Sequence, residues 1–215
     1  MMKVAVIGAT GKAGQAIVKE ALERGHEVTA IVRSAAKVQQ PGVQVVEKSI
    51  FDLKADDVKP FDVVVNAFAA PLGGGEGQHI EAGLSLIQAF KGAPDTRLIV
   101  VGGAGSLYVD EAQTLRLVDT PEFPDMFKAT ALSQAQNLQD LKQSSGIRWT
   151  FVSPAAFFDA EGGRTGSYQK GKDQLIVNGK GESYISYADY AIAIVDEIEQ
   201  ANHVGERFTV VGETK

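Results

Sequence analysis

The chain has 215 residues, 44% of them hydrophobic and 22% charged, which suits one soluble globular domain with a sizeable core. A formal net charge of −6 speaks against a nucleic-acid binder, which would carry a basic face, and the absence of cysteine excludes disulfides, thiolate catalysis and Cys-held metals. The three histidines are too far apart for ligand spacing, no apolar run reaches membrane-spanning length, and with Met1 leading straight into the first strand no signal peptide is expected. The expectation is a cytoplasmic protein with no metal, membrane or nucleic-acid partner.

Lys3 to Ile7 is short, apolar and β-branched, as a strand buried on both faces would be. From Lys12 to Arg24 apolar residues fall at helical spacing. Between them "GATGKAG" places Gly8, Gly11 and Gly14 three apart, where the chain must turn sharply from strand to helix. Such a turn aims free N–H groups and the positive end of a helix dipole at one point, which suits a pyrophosphate. The spacing is G-x-x-G-x-x-G rather than the standard dinucleotide fingerprint, so its position after the first strand carries the reading.

Gly25 then closes the helix, and "HEVTAIVR" reads as strand two, ending at Arg33. A third strand is expected around Val43 to Val46 and a fourth in "FDVVVNAF". After the loop "AAPLGGGEGQ" a helix runs from about His79 to Lys91, and "RLIVVGGAG" gives a fifth strand with a second glycine turn. Ser106 to Phe127 has two prolines and no clear period, as functional lids and mobile segments do. A helix from about Lys128 to Ser144 and a sixth strand, Ile147 to Pro154, follow. Beyond it, Asn178-Gly179 between two short β-like runs signals a hairpin, "YADYAIAIVDEIEQA" an amphipathic helix and "ERFTVVG" a last strand.

Strand and helix thus alternate from residue 3 to about 152. The expected fold is α/β: a Rossmann-type, doubly wound parallel sheet with helices on both faces. Residues 1–215 are expected to form one domain, with 155–190 as a small substrate-side subregion. Ligands in such sheets bind beyond the C-terminal strand ends, so the segments after strands one, two, four, five and six should converge on one crevice. A cofactor without a 2′-phosphate would meet an acidic residue at the end of strand two; this chain offers Arg33, with Lys37 nearby. Arg presents a planar fork of donors to a phosphate, which favours NADP, with NAD as the alternative. Read otherwise, Arg33 is a solvated residue ending a strand.

"VAVIGATGKAG", "VTAIVR", "VVVNAFAAP", "VVGGAGSLYVD", "TFVSPAAFF" and "ISYADYA", in this order, resemble the NAD(P)H-flavin reductase-like group of the atypical short-chain dehydrogenase/reductase superfamily. Biliverdin reductase B and the NmrA-like proteins are relatives of that group. By position, the resemblance implies pyrophosphate contacts at Gly8, Thr10, Gly11, Lys12 and Ala13, the 2′-phosphate at Arg33, and adenine near Ser49 and Ile50. It implies Ala67 and Phe68 beside the nicotinamide ribose, and Pro154 and Ala155 against the carboxamide. Ser49 stands where relatives often carry an acid, a departure from the pattern.

Dehydrogenases of this superfamily that act on alcohols and ketones usually place Ser, then Tyr-x-x-x-Lys, beside the nicotinamide. Ser106 qualifies as the serine, but the next helix reads "FKATALSQAQNL", with Phe127 where some relatives have Tyr. "YQKGK", Tyr168 to Lys172, matches the spacing in a Gly-flanked, non-helical context and reads as chance. Hydride transfer to an oxidised flavin tolerates this loss, because the product is a delocalised anion that solvent protonates later.

Ser106 and Tyr108 are the candidates for catalytic polar contacts, against readings as a turn residue and a lid-packing residue. Phe157 and Phe158 offer an apolar wall or ordinary packing, and His79, at a helix start after a glycine run, reads first as a solvated residue and otherwise as one that reaches the crevice. The leading expectation is an NAD(P)H-dependent reductase of a diffusible flavin or similar planar acceptor, flavin being substrate and not prosthetic group. The alternatives are an NmrA-like NADP(H) sensor without turnover and an epimerase or dehydratase.

Overall fold

The computed structural model, which describes residues 1–214, turns this alternation into an eight-stranded sheet. Its first half comprises β1 (Lys3–Ile7), α1 (Lys12–Glu23), β2 (Glu27–Val32), β3 (Gln44–Glu47), α2 (Ala55–Val58), β4 (Val63–Asn66), α3 (Gln78–Lys91) and β5 (Arg97–Val101). The second half comprises α4 (Asp125–Gln143), β6 (Arg148–Ser153), β7 (Phe157–Asp159), β8 (Gln169–Gly171), β9 (Tyr184–Ser186), α5 (Tyr187–Gln200) and β10 (Glu206–Val211). The strand order is β3-β2-β1-β4-β5-β6-β10-β8, parallel throughout except for β8. The order reverses between β1 and β4, where doubly wound sheets open a crevice.

The pleat sorts the core into two layers. Val4 and Val6 of β1 face α1 and α5, packing with Ile17, Val18, Ile194 and Ile198. Ala5 and Ile7 face the opposite way, into a cluster with Leu86 and Phe90 of α3 and Leu138 and Leu141 of α4. A strand buried on both faces needs apolar residues at every position, which explains the unbroken runs in β1, β4 and β5. Among the described residues no helix is long and apolar enough to cross a membrane.

α5 is fastened at both ends. At its start Ser186 caps the helix by accepting from the Asp189 amide (3.0 Å), and the fully buried Asp189 carboxylate accepts from the amides of Thr165 (2.9 Å) and Gly166 (2.9 Å) and from the Thr165 hydroxyl (2.6 Å). At its end buried Arg97 donates to the carbonyls of Glu197 (3.0 Å) and Ile198, satisfying orphan acceptors where the helix dipole is negative.

Three local expectations are corrected. The turn at Asn178 is not a β-hairpin: the flanking runs do not pair with each other, and β9 pairs in parallel with β7. Asn178 is buried, its side-chain nitrogen donates to the Gly212 carbonyl (3.1 Å), and its side-chain oxygen accepts from the amides of Lys180 and Glu182; with a backbone bond from the Asn178 amide to the Glu182 carbonyl (2.9 Å), the turn closes without a ladder. α4 begins at Asp125, three residues early, because Pro124 serves as its N-cap. Ser106 to Phe127 is held by side chains: Asp110 accepts from the amides of Thr114 and Leu115, while Leu107 and Val118 are buried.

Asp189→Ala removes a fully buried carboxylate and leaves two part-buried amides and a hydroxyl without their acceptor, which should cost about 1.5–3 kcal/mol. Urea unfolding should show the loss, with faster proteolysis around residues 163–167; an unchanged midpoint would remove Asp189 as the anchor of this segment.

Candidate functional site

The glycines of the β1–α1 turn do three different things. Gly8 has φ of +74°, and a Cβ there would lie 2.6 Å from the Ala67 carbonyl oxygen at the end of β4. Gly14 is pressed against the turn itself, since its Cβ would sit 2.3 Å from the Gly8 oxygen. Gly11 is under less pressure, its nearest such contact being 3.3 Å. It is the N-cap of α1 and brings no capping side chain, so the first-turn amides of the helix lack a partner from that position. A turn with uncapped amides and no Cβ in the way has the geometry that suits an anion.

Beside it lies a cavity of about 190 Å³. It brings together Gly8, Thr10, Gly11, Arg33, Ile50, Ala67 and Phe68 from four separate segments of the sequence. Lys48, Phe51 and Ala69 join them, and the sequence reading had missed all three. Lys48 directly follows β3, whose end faces the same crevice, and this was the available signal. Its ammonium is held by the Asp57 carboxylate (2.7 and 2.8 Å), which drops below the usual carboxylate range mainly through that contact. Arg33 is exposed and has no carboxylate partner among the described residues. Lys37 lines a second cavity, of about 380 Å³, that runs behind the turn past Thr10 and Gln15.

Other expected contacts lie outside this cavity. Lys12 is turned to Glu161 (2.6 Å), joining the glycine turn to the 155–190 segment. Ala13 lies in the first turn of α1, and Ser49 accepts from the Phe51 amide at 3.4 Å. Pro154 and Ala155 are buried at the end of β6. Phe157 is exposed beside Tyr184, while Phe158 packs against Tyr187 and Tyr190.

Ser106 is buried, and its hydroxyl accepts from Nη1 of Arg207 (3.0 Å), a side chain that also pairs with Asp173 (2.6 Å). The hydroxyl is therefore part of a strut between the segment after β5 and the last strand. A charged residue inside the apolar run of β10 was the signal for Arg207. Tyr108 engages through its backbone, donating to the Asp173 carbonyl (2.9 Å) and accepting from Leu175 (2.8 Å).

No acid pair stands in α4. Phe127 is exposed at its start, and Ala131, four residues on, packs against Gly105. Tyr168 donates to Asp196 of α5 (2.7 Å), beside Arg24 at the end of α1, and burial pushes its phenol well above the usual range.

His79 departs from the expected solvated residue. Its ring is half-buried in the first turn of α3, Nε2 accepts from the Ala70 amide (3.3 Å), and its edge meets Phe68 at 5.7 Å between centroids. Burial lowers its pKa, so the ring is neutral near pH 7.

A protein-family model for NAD(P)H-binding proteins matches residues 8–201 of the chain. The uncharacterized protein YwnB of Bacillus subtilis (strain 168) is 64% identical over 215 residues, the whole of both chains. The crystal structure of SP1627 from Streptococcus pneumoniae TIGR4, a candidate NADH-flavin reductase, shares 46% identity with a TM-score of 0.94, over 99% of this chain and 100% of that one. A candidate epimerase from Bacteroides thetaiotaomicron is 37% identical with a TM-score of 0.87, over 99% of this chain and 98% of that one. With the glycine turn, the 3-2-1-4-5-6 order of its first six strands and a match over most of its length, the chain belongs to the NAD(P)H-binding family.

Proposed function

We propose that this protein is an NADPH-dependent reductase that delivers hydride to a diffusible flavin or similar planar acceptor. The observation that carries the proposal is a glycine turn with an uncapped helix start, in a chain whose α4 has Phe127 and Ala131 where a tyrosine–lysine pair would be spaced. Carbonyl reduction places negative charge on one oxygen and relies on a positioned acid, typically worth about 10²–10⁴-fold in rate. A planar, conjugated acceptor spreads that charge over its rings, and orientation becomes the main contribution of the protein.

The turn would hold the pyrophosphate on the amides of α1, and Arg33 would hold the 2′-phosphate with its fork of donors. Bound nicotinamide supplies the hydride. For the acceptor, Phe51, Leu72, Phe127 and Phe157 are exposed apolar side chains on the segments that follow β3, β4, β5 and β6. Those segments all leave the C-terminal edge of the sheet, and of the four side chains Phe51 lines the cavity beside the glycine turn. The name of SP1627 supports a flavin as acceptor.

A sensor that binds NADP(H) without turnover is favoured by the same missing pair and is the second reading. The candidate epimerase among the relatives raises a third, which would need the tyrosine that α4 lacks.

Steady-state oxidation of NADPH and NADH with flavin mononucleotide, riboflavin and quinones separates these readings. Turnover with flavins supports the reductase, whereas tight NADPH binding without turnover of any acceptor would establish the sensor. Gly11→Val brings a Cβ to 3.3 Å from the Gly8 oxygen, a small shift for the turn, and blocks the approach of a pyrophosphate, so titration calorimetry should show NADPH binding lost in a variant that circular dichroism shows to be folded. Arg33→Ala should weaken NADPH by about 1.5–3 kcal/mol, the worth of a hydrogen bond to a charged group, and leave NADH almost unchanged. Equal losses for the two cofactors would mean that Arg33 does not read the 2′-phosphate. Tyr168→Phe should leave flavin turnover intact, because the phenol is committed to Asp196; a collapse of activity would return the "YQKGK" motif to the active site.

A further inference from the structure

The three histidines divide by their partners. His26 sits between the Met2 amide and the Glu199 carboxylate (3.0 Å), and His203 is held by Glu197 (2.7 Å). Both belong to the edge of the sheet where strands begin, away from the crevice. His79 alone lies on the crevice side, following β4, and no carboxylate pairs with it among the described residues. The nearest acid in its loop, Glu76, is already spent on the amides of Gly73 (2.5 Å) and Gly74 (2.8 Å).

The backbone decides which nitrogen of His79 carries the hydrogen. Nε2 accepts from the Ala70 amide, so the neutral ring must carry its hydrogen on Nδ1. Nδ1 has no hydrogen-bond partner among the described residues. The ring is fixed by its edge contact with Phe68, and Phe68 lines the cavity beside the glycine turn and in turn meets Phe51 edge-on at 5.9 Å. A neutral, oriented donor with nothing in the chain to donate to therefore stands one aromatic ring from the dinucleotide cavity.

We propose that His79 donates its Nδ1–H to a heteroatom of the acceptor and stabilises the negative charge that arrives with hydride. The inference rests on the reductase reading and adds a residue to the acceptor site. Hydride brings two electrons and one proton's worth of hydrogen to the acceptor, the nicotinamide is left oxidised, and the acceptor becomes an anion. His79 keeps its proton throughout, holding the anion by a hydrogen bond until water protonates it. A neutral imidazole suits this task, since it donates without having to give up a charge.

Two substitutions separate donation from packing. The amide of His79→Gln reaches the Nε2 position and keeps an acceptor for Ala70 but loses the Nδ1 donor. The shorter His79→Asn places its amide near the Nδ1 position, keeping a donor and losing the bond to Ala70. With NADPH and flavin mononucleotide, His79→Gln should lower kcat about tenfold or more, as loss of one hydrogen bond to a charge implies, with NADPH affinity unchanged. His79→Asn should lose thermal stability and retain most of kcat. The reverse order, with kcat surviving in His79→Gln and falling in His79→Asn, would overturn the inference and make His79 a loop-packing residue. A wild type that binds NADPH yet reduces no acceptor would remove the reductase reading and this inference together, whereas wild-type turnover with the reversed order removes the inference alone.

Discussion

The contact on which the rest of this structure depends is the approach of the β1–α1 turn to the end of β4. Gly8 lies so close to the Ala67 carbonyl, and Gly14 so close to the Gly8 carbonyl, that no side chain fits at either position. Backbone packed on backbone in this way leaves little freedom in where α1 begins. The first amides of the helix then face the crevice between β1 and β4, and Gly11 leaves them uncapped. The cavity, the place of Arg33 at its rim and the wall made by Ala67 and Phe68 all follow from that one constraint.

Around this fixed point the polar groups of the protein fall into two kinds. Most are committed to structure: Asp189 ties down the segment around Thr165, Arg97 closes α5, Arg207 braces Ser106, and Tyr168 joins Asp196. Each takes up a buried or half-buried polar group that would be costly to leave unpaired. Few polar groups at the crevice remain uncommitted, and Arg33 and His79 are among them. A site with so little acid–base equipment is suited to a reaction in which binding two ring systems in register is the main requirement.

The fold was legible because burial on both faces demands continuous apolar strands, and "VVV" in β4 or "LIVV" in β5 admits few other readings. The glycine turn was legible for a related reason, since close backbone approach leaves glycine as the residue that fits. Side-chain partnerships over long sequence distances were not. Nothing local to Ser106 announces Arg207, 101 residues away, and nothing local to Lys12 announces Glu161. The Asn178-Gly179 signal misled because the Asn178 side chain satisfied the turn and released the flanking residues to other partners. The preferred reading of His79 as a solvated residue failed because the loop before α3 folds back to give Nε2 a backbone donor, a closure set by three-dimensional path rather than by composition.

The central claim is that hydride moves here without a proton in flight from the protein. The most direct test is the single-turnover rate of NADPH oxidation by flavin mononucleotide on the enzyme, measured in H₂O and in D₂O. With orientation as the main contribution and protonation left to water afterwards, the two rates should agree, giving a ratio of about 1, because no general acid acts in the transition state. A several-fold slower rate in D₂O would contradict the account and require a proton donor that acts together with hydride.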